Sequence, residues 1–114
     1  MKLILNKDQS KGFFGGVKFE LNARVQLTDA EGALVKKYKA DNEVLFNKPS
    51  QTFLGETITV EPVKINSLTS GLTLKAKNIA EILKYEEAIK EACEAFKAYL
   101  HIMENFGGKE EYEY

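Results

Sequence analysis

The sequence predicts an α+β fold: a curved, mainly antiparallel sheet of five or six strands, with one short helix and one long C-terminal helix packed across it. Three observations carry this. From Val17 to Thr28, "VKFELNARVQLT", apolar and polar residues alternate without a break, the period of a strand with one buried and one wet face. From residue 78 to 106 the apolar residues recur every three or four positions among good helix formers, the period of a helix. Between these two stretches, shorter apolar runs are separated by Gly, Pro and Asn, the residues that punctuate strands.

Residues 2–6 read as a short strand and 7–12, "KDQSKG", as a turn-rich loop. In the long strand Val17, Phe19, Leu21, Ala23, Val25 and Leu27 face inward, and Lys18, Glu20, Asn22, Arg24, Gln26 and Thr28 face outward. At about 3.3 Å per residue it spans roughly 40 Å, about twice the usual strand. Run backwards, the same alternation starts the strand at Phe13, with Phe13 on the core side and Phe14 on the wet side. "TDAE" at 28–31 is a capping box, with Thr28 as cap and Glu31 reaching back. It opens a helix over 29–39 whose buried face is Ala30, Leu34 and Tyr38.

Val44 to Phe46 reads as a short strand, 47–56 as a loop with Pro49 and Gly55, and 57–66 as a strand. Pro62 inside that strand cannot donate to a ladder, so it belongs at an edge or a bulge. "SLTSG" turns the chain, and 72–77 is another alternating strand. Asn78 caps the long helix, Glu81 is placed to complete a box, and Gly107-Gly108 stops it. Its 29 residues span roughly 43 Å at 1.5 Å per residue, so the long strand and the long helix can lie along one another. The tail "KEEYEY" has Tyr112 and Tyr114 at strand spacing, which leaves a last edge strand and a frayed end both open.

Written in heptads, the long helix carries Ile82, Ile89, Phe96 and Met103 at one seam position and Tyr85, Ala92, Tyr99 and Phe106 at the other. Its flanks are apolar as well, leaving Lys84, Glu87, Lys90, Glu91, Glu94, Lys97, His101 and Glu104 as the polar strip. Such a stripe is wider than contact with one sheet needs. Each large apolar side chain left wet forgoes about 1.5–3 kcal/mol, and the short helix cannot cover this length. The expectation is a homodimer of single-domain chains (1–114), joined through 78–106 at Tyr85, Ala88, Ala92, Ala95, Tyr99 and Ile102.

Composition narrows the chemistry. Sixteen basic and seventeen acidic residues leave a net charge of −1, and Arg24 is the only arginine. That balance disfavours a nucleic-acid binder, as does the lack of aromatic residues on the wet face of 17–28. One cysteine, Cys93, makes no disulfide framework and suits the cytoplasm. "MKLILN" is too short for a secretory core, and no apolar run nears the ~18 residues of a membrane span.

His101 falls on the polar strip and Cys93 on an apolar flank, about 12 Å apart along the axis, too far for a dyad. No nucleophile elbow or phosphate loop is present. The sequence therefore implies no catalytic residues, metal or cofactor. Its expected role is that of a small cytoplasmic non-enzymatic binding protein, an adaptor or inhibitor, acting as a homodimer. The loop residues Phe14, Phe53 and Leu54 are the candidates for gripping another protein. The alternative is a binder of a small anionic ligand, either at the dimer interface or at Lys18, Asn22, Arg24 and Gln26, where the guanidinium can fork onto a carboxylate or phosphate and Lys64, Lys75 and Lys77 can assist.

Overall fold

The structure, a computed structural model, describes residues 1–11, 15–51 and 58–114. It is α+β, with antiparallel sheets and a long C-terminal helix. The elements are β1 (Lys2–Lys11), β2 (Val17–Gln26), α1 (Asp29–Tyr38), a 3-10 turn (Ala40–Asn42), β3 (Val44–Gln51), β4 (Ile58–Lys64), α2 (Ile65–Ser70), β5 (Leu72–Ala76) and α3 (Ile79–Glu104). Among the described residues five strands form two sheets, one ordered β1-β2-β5 and the other a β3-β4 pair. This corrects the expectation of one sheet of five or six strands.

Two local features account for the split. In the β3-β4 pair, Pro62 stands opposite Asn47 and Pro49 opposite Val60; each proline removes a ladder donor, so neither strand suits the interior of a larger sheet. The chain then leaves the line of β4 at α2, where the sequence pattern suggested a strand end and a turn. Ile65 and Leu68, spaced by three, both fall into the core on one face of a short helix. Ser67 Oγ accepts from the Lys64 N–H at 3.3 Å, and Gly71, at φ 103°, ends the helix in a backbone conformation that favours glycine.

β2 is the central strand of the larger sheet. It pairs with β1 from Lys2 opposite Gln26 to Lys11 opposite Val17, and with β5 from Phe19 opposite Ala76 to Ala23 opposite Leu72. β1 thus runs five residues past its expected end, because the ladder offered by β2 outweighs the poor strand propensity of Asp8, Gln9 and Ser10. β2 begins at Val17 rather than at Phe13, with Gly15 at φ 86° just before it. Phe13 and Phe14 lie outside the described residues.

The capping box at α1 forms as the sequence predicts. The Glu31 N–H donates to Thr28 Oγ1 at 3.1 Å and the Thr28 N–H to Glu31 Oε1 at 2.9 Å. The buried face is turned from the expected one: Val35 points into the core, Leu34 and Tyr38 flank it half-buried, and Ala30 is exposed. α3 is 26 residues long, roughly 39 Å. Asn78 Oδ1 caps it by accepting from the Ala80 N–H at 2.8 Å, a single cap rather than the expected box. Asn105 closes it by donating from its side-chain amide to the His101 carbonyl at 3.0 Å. Residues 105–114 add no strand.

The core lies between the inner face of β2 and the helices. Leu21, Ala23 and Val25 pack with Ile65 and Leu68 of α2 and with Ile82, Ile89, Phe96 and Leu100 of α3. α3 touches β2, β5, α1 and β3, so it lies along the long strand as its length suggests. Residues 8–11 and 15–18 are exposed; there the β1-β2 pair runs past the helical layer. The radius of gyration is 17.7 Å, against about 13 Å for a compact chain of this length. No helix among the described residues is long and apolar enough to cross a membrane.

Candidate functional site

The helical period of α3 serves two surfaces. Ile82, Ile89, Phe96 and Leu100 are buried against the sheet, and Tyr85, Cys93 and Met103 pack partly into the same core. At about 100° per residue, Ala88, Ala95, Tyr99 and Ile102 fall within an arc of about 60° on the neighbouring flank, and Phe106 follows two residues past the helix end. This flank is open over the C-terminal half. Tyr99 is 40%, Ile102 57% and Phe106 87% exposed, and Ala95 and Ala98 are exposed beside them. Ala95, Ala98, Tyr99 and Ile102 form an apolar surface over the C-terminal half of α3, the pattern of a contact face.

A groove lies alongside this strip. It encloses about 230 Å³ between the start of β3 (Glu43, Val44 and Leu45) and Ala92, Ala95, Phe96 and Tyr99 of α3. Val44 is half-exposed at its rim. Ala92 and Ala95 open the groove because they carry no side chain beyond Cβ, while Phe96 and Tyr99 wall it. The sequence pattern placed Ala92, Ala95 and Tyr99 on this face; it gave no sign that β3 would supply the other wall.

The residues expected at a dimer interface thus divide. Ala95, Tyr99 and Ile102 are exposed on the strip, and Ala88 is half-buried at its N-terminal end. Tyr85 is partly taken up by the chain's own core, where burial and then the Glu81 charge push its hydroxyl pKa up. Ala92 is buried as well. Ile79 and Leu83 are also about half-exposed, on the opposite flank of α3.

The polar face of β2 is laid out in rows. Ser10 faces Lys18, Asp8 faces Glu20, Asn6 faces Asn22 and Ile4 faces Arg24 across β1. From β5, Lys75 stands opposite Glu20 and Thr73 opposite Asn22. Lys75 therefore joins the face, whereas Lys64 belongs to β4 in the other sheet. Asn22 Oδ1 already accepts from the Thr73 hydroxyl at 2.7 Å. Lys18 and Arg24, six residues apart on one strand, are separated by roughly 20 Å, with the Asp8 and Glu20 carboxylates between them. The four residues Lys18, Asn22, Arg24 and Gln26 share a face but do not converge on one point.

A charged residue that the sequence pattern did not single out ties the two layers together. Glu86 is buried on the core side of α3, and its Oε1 lies 2.8 Å from Lys7 Nζ of β1 and 3.5 Å from Lys90 Nζ. The hydrogen bond from Lys7 holds the Glu86 carboxyl below the usual carboxylate range against the opposing effect of burial, with both lysine charges helping. Its position between Ile82 and Ile89 was the available signal, since a carboxylate on an apolar face demands a partner.

Cys93 is half-buried, and burial together with the Glu94 charge pushes its thiol pKa up, away from the thiolate that nucleophilic chemistry needs. His101 is exposed, with the Asn105 amide 3.3 Å from its Nδ1. Among the described residues no three His, Cys, Asp or Glu side chains gather as a metal site. Phe53 and Leu54, like Phe14, lie outside the described residues. Compared with known protein families, with curated proteins and with solved structures, the chain has no match.

Proposed function

We propose that the protein is a small, non-enzymatic cytoplasmic interaction protein that works as a homodimer joined through the C-terminal half of α3. One observation carries this reading: Ala95, Tyr99 and Ile102 form an exposed apolar strip on α3 beside the Val44–Tyr99 groove. Leaving that strip in water forgoes stabilisation that pairing recovers, about 25 cal/mol for each Å² of apolar surface covered. A second copy carries the same strip by necessity, so the contact is self-complementary and closes. The half-buried thiol of Cys93 suits a reducing compartment. Binding of another protein by Phe14, Phe53 and Leu54, as an adaptor or inhibitor would require, rests on the sequence pattern alone. Anion binding at Arg24 is the weaker reading, because Lys18 and Arg24 stand too far apart to hold one small ligand.

Ile102→Glu tests the reading. Ile102 is more than half exposed, so a carboxylate there changes the fold's own stability by only about 0.5 kcal/mol or less. At the proposed interface the same carboxylate is buried without a partner. Sedimentation equilibrium should show association weakened about tenfold or more, with an unchanged circular dichroism spectrum. Association equal to that of the unsubstituted chain would place the interface elsewhere or remove it.

A further inference from the structure

We infer that the two copies of α3 cross antiparallel with their two-fold axis at Ala95, an arrangement that rests on the homodimer reading above. An antiparallel pair centred there sets each residue opposite the one equally far from Ala95 on the other side. Seven residues away are Ala88 and Ile102, and four away are Glu91 and Tyr99. On this flank the bulky exposed residues of α3, Tyr99 and Ile102, lie C-terminal to Ala95 and the small residue Ala88 lies N-terminal to it. Each large side chain of one copy therefore meets a small or flexible one of the other.

Ile102 sits on the Ala88 of the second copy. The Tyr99 hydroxyl donates to the Glu91 carboxylate, a charge-assisted hydrogen bond. Ala95 at the crossing point lets the backbones approach, and the groove between β3 and α3 lies at the level of the axis, where it gives room to side chains of the second copy. The contact runs over 88–102, roughly 22 Å of helix.

Charge separates this arrangement from the parallel one. Lys84 and Glu91 border the apolar strip and both are exposed. In a parallel pair in register, Lys84 would lie beside Lys84 and Glu91 beside Glu91, and facing like charges destabilise. Bulk would also be unevenly shared, with Tyr99 and Ile102 crowded at one end and Ala88 facing Ala88 at the other. The antiparallel pair has neither defect.

Disulfide trapping tests the direction. In a Cys93→Ser background, Ala88→Cys, Ala95→Cys and Ile102→Cys are prepared as separate full-length proteins and equilibrated in a glutathione redox buffer. The geometry predicts that Ala95→Cys links to itself, shifting from one chain to two on a non-reducing gel. Ala88→Cys and Ile102→Cys should stay single alone and link to each other when mixed. Self-linking of both Ala88→Cys and Ile102→Cys, without preference for the mixed pair, would overturn the antiparallel crossing and leave the homodimer standing. Absence of any link in a protein whose unsubstituted form has the mass of two chains would put the contact on another face. A single-chain mass for the unsubstituted form would remove the homodimer itself, and the crossing with it.

Discussion

Leu21→Ala should destabilise the chain by about 2–5 kcal/mol. Leu21 is completely buried in the middle of β2, paired on one side with β1 and on the other with β5. Its side chain lies in the cluster formed by α2, α3 and the sheet. Truncation removes the transfer free energy of the lost methyl and methylene groups and leaves a cavity, because two strand ladders prevent the backbone from closing in. For a chain of this size the loss corresponds to a fall in Tm on the order of 10–20 °C. Thermal unfolding followed by far-UV circular dichroism checks it. A shift within a degree or two of zero would mean that Leu21 is not in the core.

Glu86→Lys should cost about 1–3 kcal/mol, since it removes the carboxylate and sets a third positive charge beside two half-exposed lysines. Glu86→Gln should cost less, because an amide keeps an acceptor oxygen for Lys7. The unsubstituted chain should also show the pair in its response to acid. The folded-state pKa of Glu86 is lowered from its ordinary value of 4.5, so the deprotonated form is favoured by folding. That stabilisation is fully present above the unfolded-state pKa and is lost as pH falls through the lower folded-state value. Chemical denaturation across the acid range should therefore show part of the stability disappearing below about pH 4.5, and Glu86→Gln should lack that part. Identical acid profiles for the two proteins would contradict the Lys7–Glu86 contact.

Short-range chemistry explains which features were legible in the sequence. The Thr28 box needs only residues 28–31, and it forms as written. The alternation of β2 and the helical period of α3 each repeat long enough to fix element, face and length, so Leu21, Val25, Ile82, Ile89 and Phe96 were readable as core. Pro62 marks 57–66 as an edge or bulged strand, but sheet membership depends on partners far along the chain, and the pairing of β4 with β3 alone was not legible from it. "INSLTS" has β-branched residues and turn formers; its helix is held by burial of Ile65 and Leu68 rather than by propensity. The same reason hid the full length of β1, whose polar half is a strand because β2 pairs with it.

The candidate site divides along the same line. That α3 has more apolar surface than one sheet can cover follows from its own sequence. Which part stays open does not, because it depends on where β3 and α1 come to rest against it. Tyr85 and Ala92 were expected at an interface and are instead taken up by the chain's own fold. Phe106 belonged to the seam by spacing, yet it lies past the C-terminus of α3 and is almost wholly exposed. The wall supplied by Val44 became visible only once β3 was seen beside the helix.

Molar mass in solution tests the central claim most directly. Static light scattering on the full chain at micromolar concentration should give twice the 12.8 kDa of one chain. A mass of 12.8 kDa that does not rise with concentration would contradict the homodimer.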